Sequence, residues 1–161
     1  MKSQETLSRD AWQHLIPHAG TMCLLDEVVA FNGTHIHVRA RSHRDVANPL
    51  RSDDRLRAVH LCEYGAQAMA IHGGLLARRD GVAAQPGMLV SLRAVKLHVA
   101  RIDDIAGTLD IHAERLLDSG ASWQYAFCVK HAQRILAEGR AAVIAQVQRS
   151  ANDAQDARND G

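Results

Sequence analysis

One stretch constrains the fold more than any other. Leu56–Ala77 reads LRAVHLCEYGAQAMAIHGGLLA, and at helical spacing it is apolar or small on nearly every side. A helix of that character must be covered on most faces, and the sequence offers no second helix of similar size to cover it. What surrounds it has the period of strands. MCLLDEVVAF and HIHVRARS precede it, whereas MLVSLRAVKLHVA, TLDIHAERLLDS, SWQYAFCVKHA and RILAEGRAAVIAQV follow it. In the second run Ile36, Val38 and Ala40 alternate with His35, His37, Arg39 and Arg41, as in a sheet with one covered face. The pattern predicts an α+β fold: an antiparallel sheet of about six strands wrapped around one long central helix inserted after the second strand.

The punctuation agrees. Asn32-Gly33-Thr34 between the first two runs predicts a tight hairpin, with positive φ supplied by Asn-Gly. Asp10 is placed to cap a short N-terminal helix through AWQHLI that Pro17 ends. The central helix should stop at ARRDG, where two arginines face the negative end of the dipole and Gly81 can turn the chain. With 161 residues and 47% hydrophobic content there is material for one core, so residues 1–149 are read as one domain. SANDAQDARNDG, at 150–161, has no hydrophobic period and is expected to be a disordered tail.

Composition narrows the partners. The formal charge is +1, which prompts neither a nucleic-acid nor a membrane partner. Cys23, Cys62 and Cys128 are widely spaced, each beside apolar residues, which suits buried thiols in a reducing compartment. No CxxC or Cys/His cluster suggests zinc, and no apolar run approaches the roughly 20 residues that span a bilayer. The start of the chain lacks the apolar core of a signal peptide, so the expected location is the cytoplasm.

Glu63 stands in the middle of this apolar helix, although burying an unpaired carboxylate costs several kcal/mol and acidic residues are rarely buried without a partner or a task. The segments around it carry a resemblance. LIPHAGTMCLLDEVV, AVHLCEYGAQAMA and the closing run of strands resemble the hotdog-fold 3-hydroxyacyl-[acyl-carrier-protein] dehydratases, over about Leu15 to Val147. The NPL and EYGAQA elements are similar to the branch found with aryl polyene clusters. The departure is equally specific. Where that family carries its loop histidine, counting back from the helix glutamate lands on Pro49, in VANPLRSDD.

The resemblance implies a reaction in which a base takes a proton from C2, an acid protonates the C3 hydroxyl, and donors support the thioester oxygen. It implies Glu63 as the acid, its pKa raised by apolar surroundings, and a histidine as base: His18, preferred because it lies in the matching segment, or His60, one turn before Glu63. Gln67, one turn beyond, can orient the carboxyl group or hold a water. The N–H groups at Arg57–Val59 are expected to face an oxyanion, and Gly65 to leave room for a thioester. Asn48 is either a turn cap or a substrate contact. The histidines at 35, 37, 43, 98, 112 and 131 read as solvated. Arg39, Arg41, Arg44, Arg51, Arg55 and Arg57 form an ordinary solvated face or a docking surface for an acidic carrier protein and its phosphopantetheine arm.

The implied partners are acyl carrier protein, or coenzyme A as an alternative carrier, and a second hotdog chain: a homodimer, or a related subunit. No metal and no organic cofactor is implied. Two alternatives share the fold. One is a thioesterase in which Glu63 activates water or attacks the thioester; the other is a catalytically weakened acyl-binding subunit that works beside an active relative.

Overall fold

The computed structural model describes residues 6–146. Seven strands form one sheet in the order β1-β2-β3-β5-β6-β7-β4: β1 (Leu7–Ser8), β2 (Glu27–Phe31), β3 (His35–Ala40), β4 (Gly87–Leu97), β5 (Leu109–Asp118), β6 (Ser122–His131) and β7 (Arg134–Ala145). Every neighbouring pair is antiparallel. The helix α1 (Leu61–Arg79) follows β3 and packs against β3, β5, β6 and β7. This is the wrapped-helix architecture expected, with the two-residue β1 added at an edge. Residues 150–161 lie outside the described residues.

Alternation explains the covered face. Ile36 and Val38 of β3, Leu109 and Ile111 of β5, and Phe127 and Val129 of β6 are buried against Leu61, Tyr64, Ala68, Ile71 and Leu75 of α1. Burying one such side chain contributes about 1.5–3 kcal/mol, so this shared face dominates the stability. Gly65 sets the distance between the layers: a Cβ there would stand 2.8 Å from Cδ2 of Phe127.

Local chemistry departs from the sequence reading at three places. The N-terminal segment forms two 3-10 turns, Arg9–Ala11 and Gln13–Leu15, with no side-chain cap. They break at Trp12, which turns inward and is fully buried, so packing of the indole overrides continuation of the helix. Leu56 and Arg57 are not helical. Leu56 N–H donates to Asp103 Oδ1 at 2.9 Å and Ala58 N–H to Ala100 O at 3.0 Å, and a single 3-10 turn at Ala58–His60 then leads into α1. In the β2–β3 hairpin Gly33 is not among the positive-φ residues. Asn32 makes the turn with its side chain: Oδ1 accepts from the N–H groups of Thr34 and His35, both at 2.9 Å.

The helix ends as expected. Gly81 adopts φ +68°, and the N–H of Val82 reaches back to the carbonyl of Ala77 at 3.0 Å, closing the last turn. At the opposite end of the sheet from β1, β4 pairs only with β7, and its other edge is free among the described residues. Among those residues no helix is long and apolar enough to cross a membrane.

Candidate active site

Glu63 lies in the first turn of α1, and the irregular segment before β2 crosses over it. Gln67, fully buried, fastens the two together. Its Oε1 accepts from Leu24 N–H at 2.9 Å, while Nε2 donates to Met22 O at 2.7 Å and to Glu63 Oε1 at 3.1 Å. With every polar atom of the amide engaged, Gln67 cannot rotate without breaking a buried bond, each worth roughly 1 kcal/mol or more when its partner is left unpaired.

The same crossing segment delivers His18. Its Nε2 is 3.2 Å from Glu63 Oε1, with 26% and 33% of the two side chains exposed, so the pair is reachable yet sheltered. The carboxylate accepts, which places the hydrogen on Nε2. Nδ1 of His18 is buried and has no hydrogen-bond partner among the described residues. His60, half-buried one turn back, makes no contact with Glu63 of this kind and acts on it only through its charge.

The electrostatics correct the expectation of a raised carboxyl pKa. Glu63 is held below the usual carboxylate range, first by the His18 hydrogen bond, which outweighs the opposing effect of burial; the Gln67 bond and the charges of His18 and His60 add to the lowering. In the unliganded site Glu63 is therefore a carboxylate with a histidine N–H aimed at it.

Other expected contacts are placed elsewhere. Asn48 is buried, but Nδ2 donates to Ser42 O at 2.9 Å and to Tyr64 Oη at 3.1 Å, and Oδ1 accepts from Leu50 N–H at 2.9 Å. It ties its loop to α1, with no polar atom left for a substrate, and Pro49 next to it is exposed. Gly65 faces the Phe127 ring instead of an open space, so the room expected for a thioester is filled by β6. Ala58 N–H, one of the expected oxyanion donors, bonds to Ala100 O, whereas Val59 beside it is 52% exposed. Of the arginines, Arg39 pairs with Asp110 at 3.1 Å, Arg57 with Asp53 at 3.6 Å, and Arg51 binds loop carbonyls. Arg41 lines an open hollow of about 570 Å³ with Arg9, Thr21, Cys23, Asp26 and Asn48.

Two groups escape a sequence reading altogether. Tyr64 Oη joins Ser42 and Asn48 beneath the loop, and His72 bonds Tyr125 Oη at 2.9 Å and Asn32 O at 2.8 Å within the core. Both lie on the buried side of α1, where spacing marks them as core but cannot name partners across the fold. His43, expected to be solvated, is fully buried with Nε2 on Ile105 O.

Comparison with known proteins bears on the fold and the family. The solved dehydratase heterocomplex ApeI:P from Xenorhabdus doucetiae is similar at TM-score 0.77 and 24% identity, over 95% of this chain and 98% of that one. A hypothetical thioesterase with coenzyme A from Streptococcus pneumoniae TIGR4 matches at TM-score 0.54 and 14% identity, over 76% and 87%. A putative thioesterase from Shewanella oneidensis matches at 0.59 and 11%, over 86% and 94%. Likeness at these identities establishes the hotdog fold and no more. No curated protein sequence matches the chain. A family model described as ApeP-like, ApeP dehydratase, matches residues 11–155. Since that match takes in α1, the crossing segment and every strand from β2 to β7, the chain belongs to the ApeP-like dehydratase family.

Proposed function

We propose that the chain acts in the cytoplasm on a 3-hydroxyacyl thioester carried by acyl carrier protein, removing water to give the 2-enoyl thioester in a polyene-forming pathway of the aryl polyene kind. The observation that carries this reading is the His18–Glu63 dyad, 3.2 Å across and locked from behind by Gln67. It supplies a base and an acid within one hydrogen bond, in a chain whose usual loop position for the histidine holds Pro49.

The dyad needs one proton to work. The cycle starts from the form of the pair in which Glu63 is a carboxylate and His18 an imidazolium, with a hydrogen on each ring nitrogen. An arriving acyl chain displaces water, which disfavours the charged pair and shifts the proton across to Glu63. His18 Nε2 then takes the proton from C2, its electron pair forms the C2–C3 double bond, and the C3 hydroxyl leaves with the Glu63 proton as water. The products restore the starting state: carboxylate on Glu63, proton on His18. General acid and base contributions of this type are each worth about 10²–10⁴-fold. Gln67 acts as a positioning residue, and Arg41 beside the 570 Å³ hollow is placed to attract an anionic carrier.

The exposed edge supports a second hotdog subunit. Met88, Val90, Leu92 and Leu97 of β4 are 45%, 48%, 40% and 42% exposed on a strand with one side free among the described residues. A free apolar strand edge is a site for pairing with another sheet. The related ApeI:P structure is a heterocomplex, and a partner of this chain is accordingly another hotdog chain, a second copy or a relative. The test is an assay with a 3-hydroxyacyl-carrier-protein, run on the purified chain and again with an added hotdog partner from the same cluster. Enoyl product in either arm supports the reading; free thiol without enoyl product replaces it with a thioesterase.

A further inference from the structure

The outer face of the sheet, away from α1, carries three histidines that the dehydratase reading does not use. Strand register brings them together: His37 stands opposite His112, and His35 stands opposite Glu114. Between the rings of His35 and His112 the facing nitrogens, Nε2 and Nδ1, are 3.3 Å apart. That is long for a hydrogen bond between nitrogens. It is the separation of two imidazole nitrogens on one tetrahedral zinc ion, since Zn–N bonds of about 2.0–2.1 Å at an angle of about 109° set them about 3.3–3.4 Å apart.

The rings are also held in place. His37 stacks on His112 with centroids 4.2 Å apart and planes 15° apart. His37 Nε2 is anchored on Asp110 Oδ1 at 2.6 Å, and Arg39 holds the same carboxylate at 3.1 Å. His35, His112, Glu114 and Cys128 line one shallow hollow of about 140 Å³.

We propose that His35 and His112 form a two-histidine clip for a divalent transition-metal ion, zinc by its geometry, that staples β3 to β5 on the outer face. Among the described residues no third metal-ligating side chain joins the pair, so the remaining positions belong to water. The site is independent of the His18–Glu63 dyad and of the reaction assigned to it.

The full chain, stripped with chelator and dialysed, is titrated with zinc chloride by calorimetry, and its melting temperature is followed with and without zinc. The clip predicts one zinc per chain and a higher melting temperature with zinc, because the ion binds only the paired strands. His35→Gln and His112→Gln should each weaken binding at least about tenfold and abolish the thermal shift. His14→Gln, in an exposed turn, should change neither. Absence of zinc binding, or affinity unchanged in both variants, would overturn the proposal. Should the variants fold poorly, imidazole resonances of the wild-type chain decide: those of His35 and His112 must move on zinc addition, and their remaining still overturns it.

Discussion

At Glu63 two forces oppose each other, and their balance sets what the site can do. Burial favours the protonated acid, while the His18 and Gln67 hydrogen bonds favour the carboxylate, and the bonds prevail. Removing the imidazole should reverse the balance. In His18→Ala the Glu63 carboxyl pKa should rise, seen as an upward move of its titration by carbon-detected NMR, and turnover should fall about 10²–10⁴-fold. His60→Ala, which removes only a neighbouring charge, should leave turnover within about tenfold. Gln67→Leu keeps the volume but strips partners from Leu24 N–H and Met22 O, both inside the fold. It should cost about 1–3 kcal/mol for each buried group left unpaired, read from urea unfolding, and lower kcat more than it raises KM. The trio His18, Glu63 and Gln67 was legible because a carboxyl and an amide four residues apart on an apolar helix demand an explanation. Asn48 and Gly65 were not, since what engages them, Tyr64 Oη and the Phe127 ring, comes from other elements.

Between elements, His72 joins the helix to the β2–β3 hairpin and to β6. Asn32 O can only accept, so Nε2 carries the hydrogen, and Nδ1 accepts from Tyr125 Oη. Burial pushes its pKa down to about 4. Since the unfolded chain takes up the proton near 6.5 and the folded chain does not, this contribution is complete above about pH 6.5 and is lost as pH falls toward 4. Its size is on the order of 3 kcal/mol. Stability measured by urea unfolding should therefore decline across that window in the wild-type chain, and the decline should be shallower in His72→Gln. The long strands and the place of the helix along the chain were readable from period alone, but the pairing of β4 with β7 instead of β5 was not. The hairpin turn was read with the right residues and the wrong device, because Asn32 closes it through its side-chain oxygen with no help from Gly33. The N-terminal helix failed for a related reason: Trp12 is drawn into the core, and the chain bends to follow it.

For the whole molecule the unfinished feature is β4. Its alternation of Met88, Val90 and Leu92 with neighbours that are also exposed shows a strand covered on neither face by the described residues. A sequence cannot distinguish a strand buried by its own fold from one buried by a partner. Val90→Lys should leave the isolated fold intact by circular dichroism and weaken assembly by about 100-fold or more in sedimentation velocity, because the added charge would have to be buried at the seam.

In the proposed mechanism Glu63 and His18 together eliminate water from a 3-hydroxyacyl thioester. It is tested most directly by following enoyl-thioester formation from a 3-hydroxyacyl-carrier-protein with the chain and its hotdog partner, comparing wild type with Glu63→Gln. Enoyl product is expected from the wild type, and a loss of about 10²–10⁴-fold in Glu63→Gln at unchanged melting temperature. Equal rates from the two proteins would contradict it.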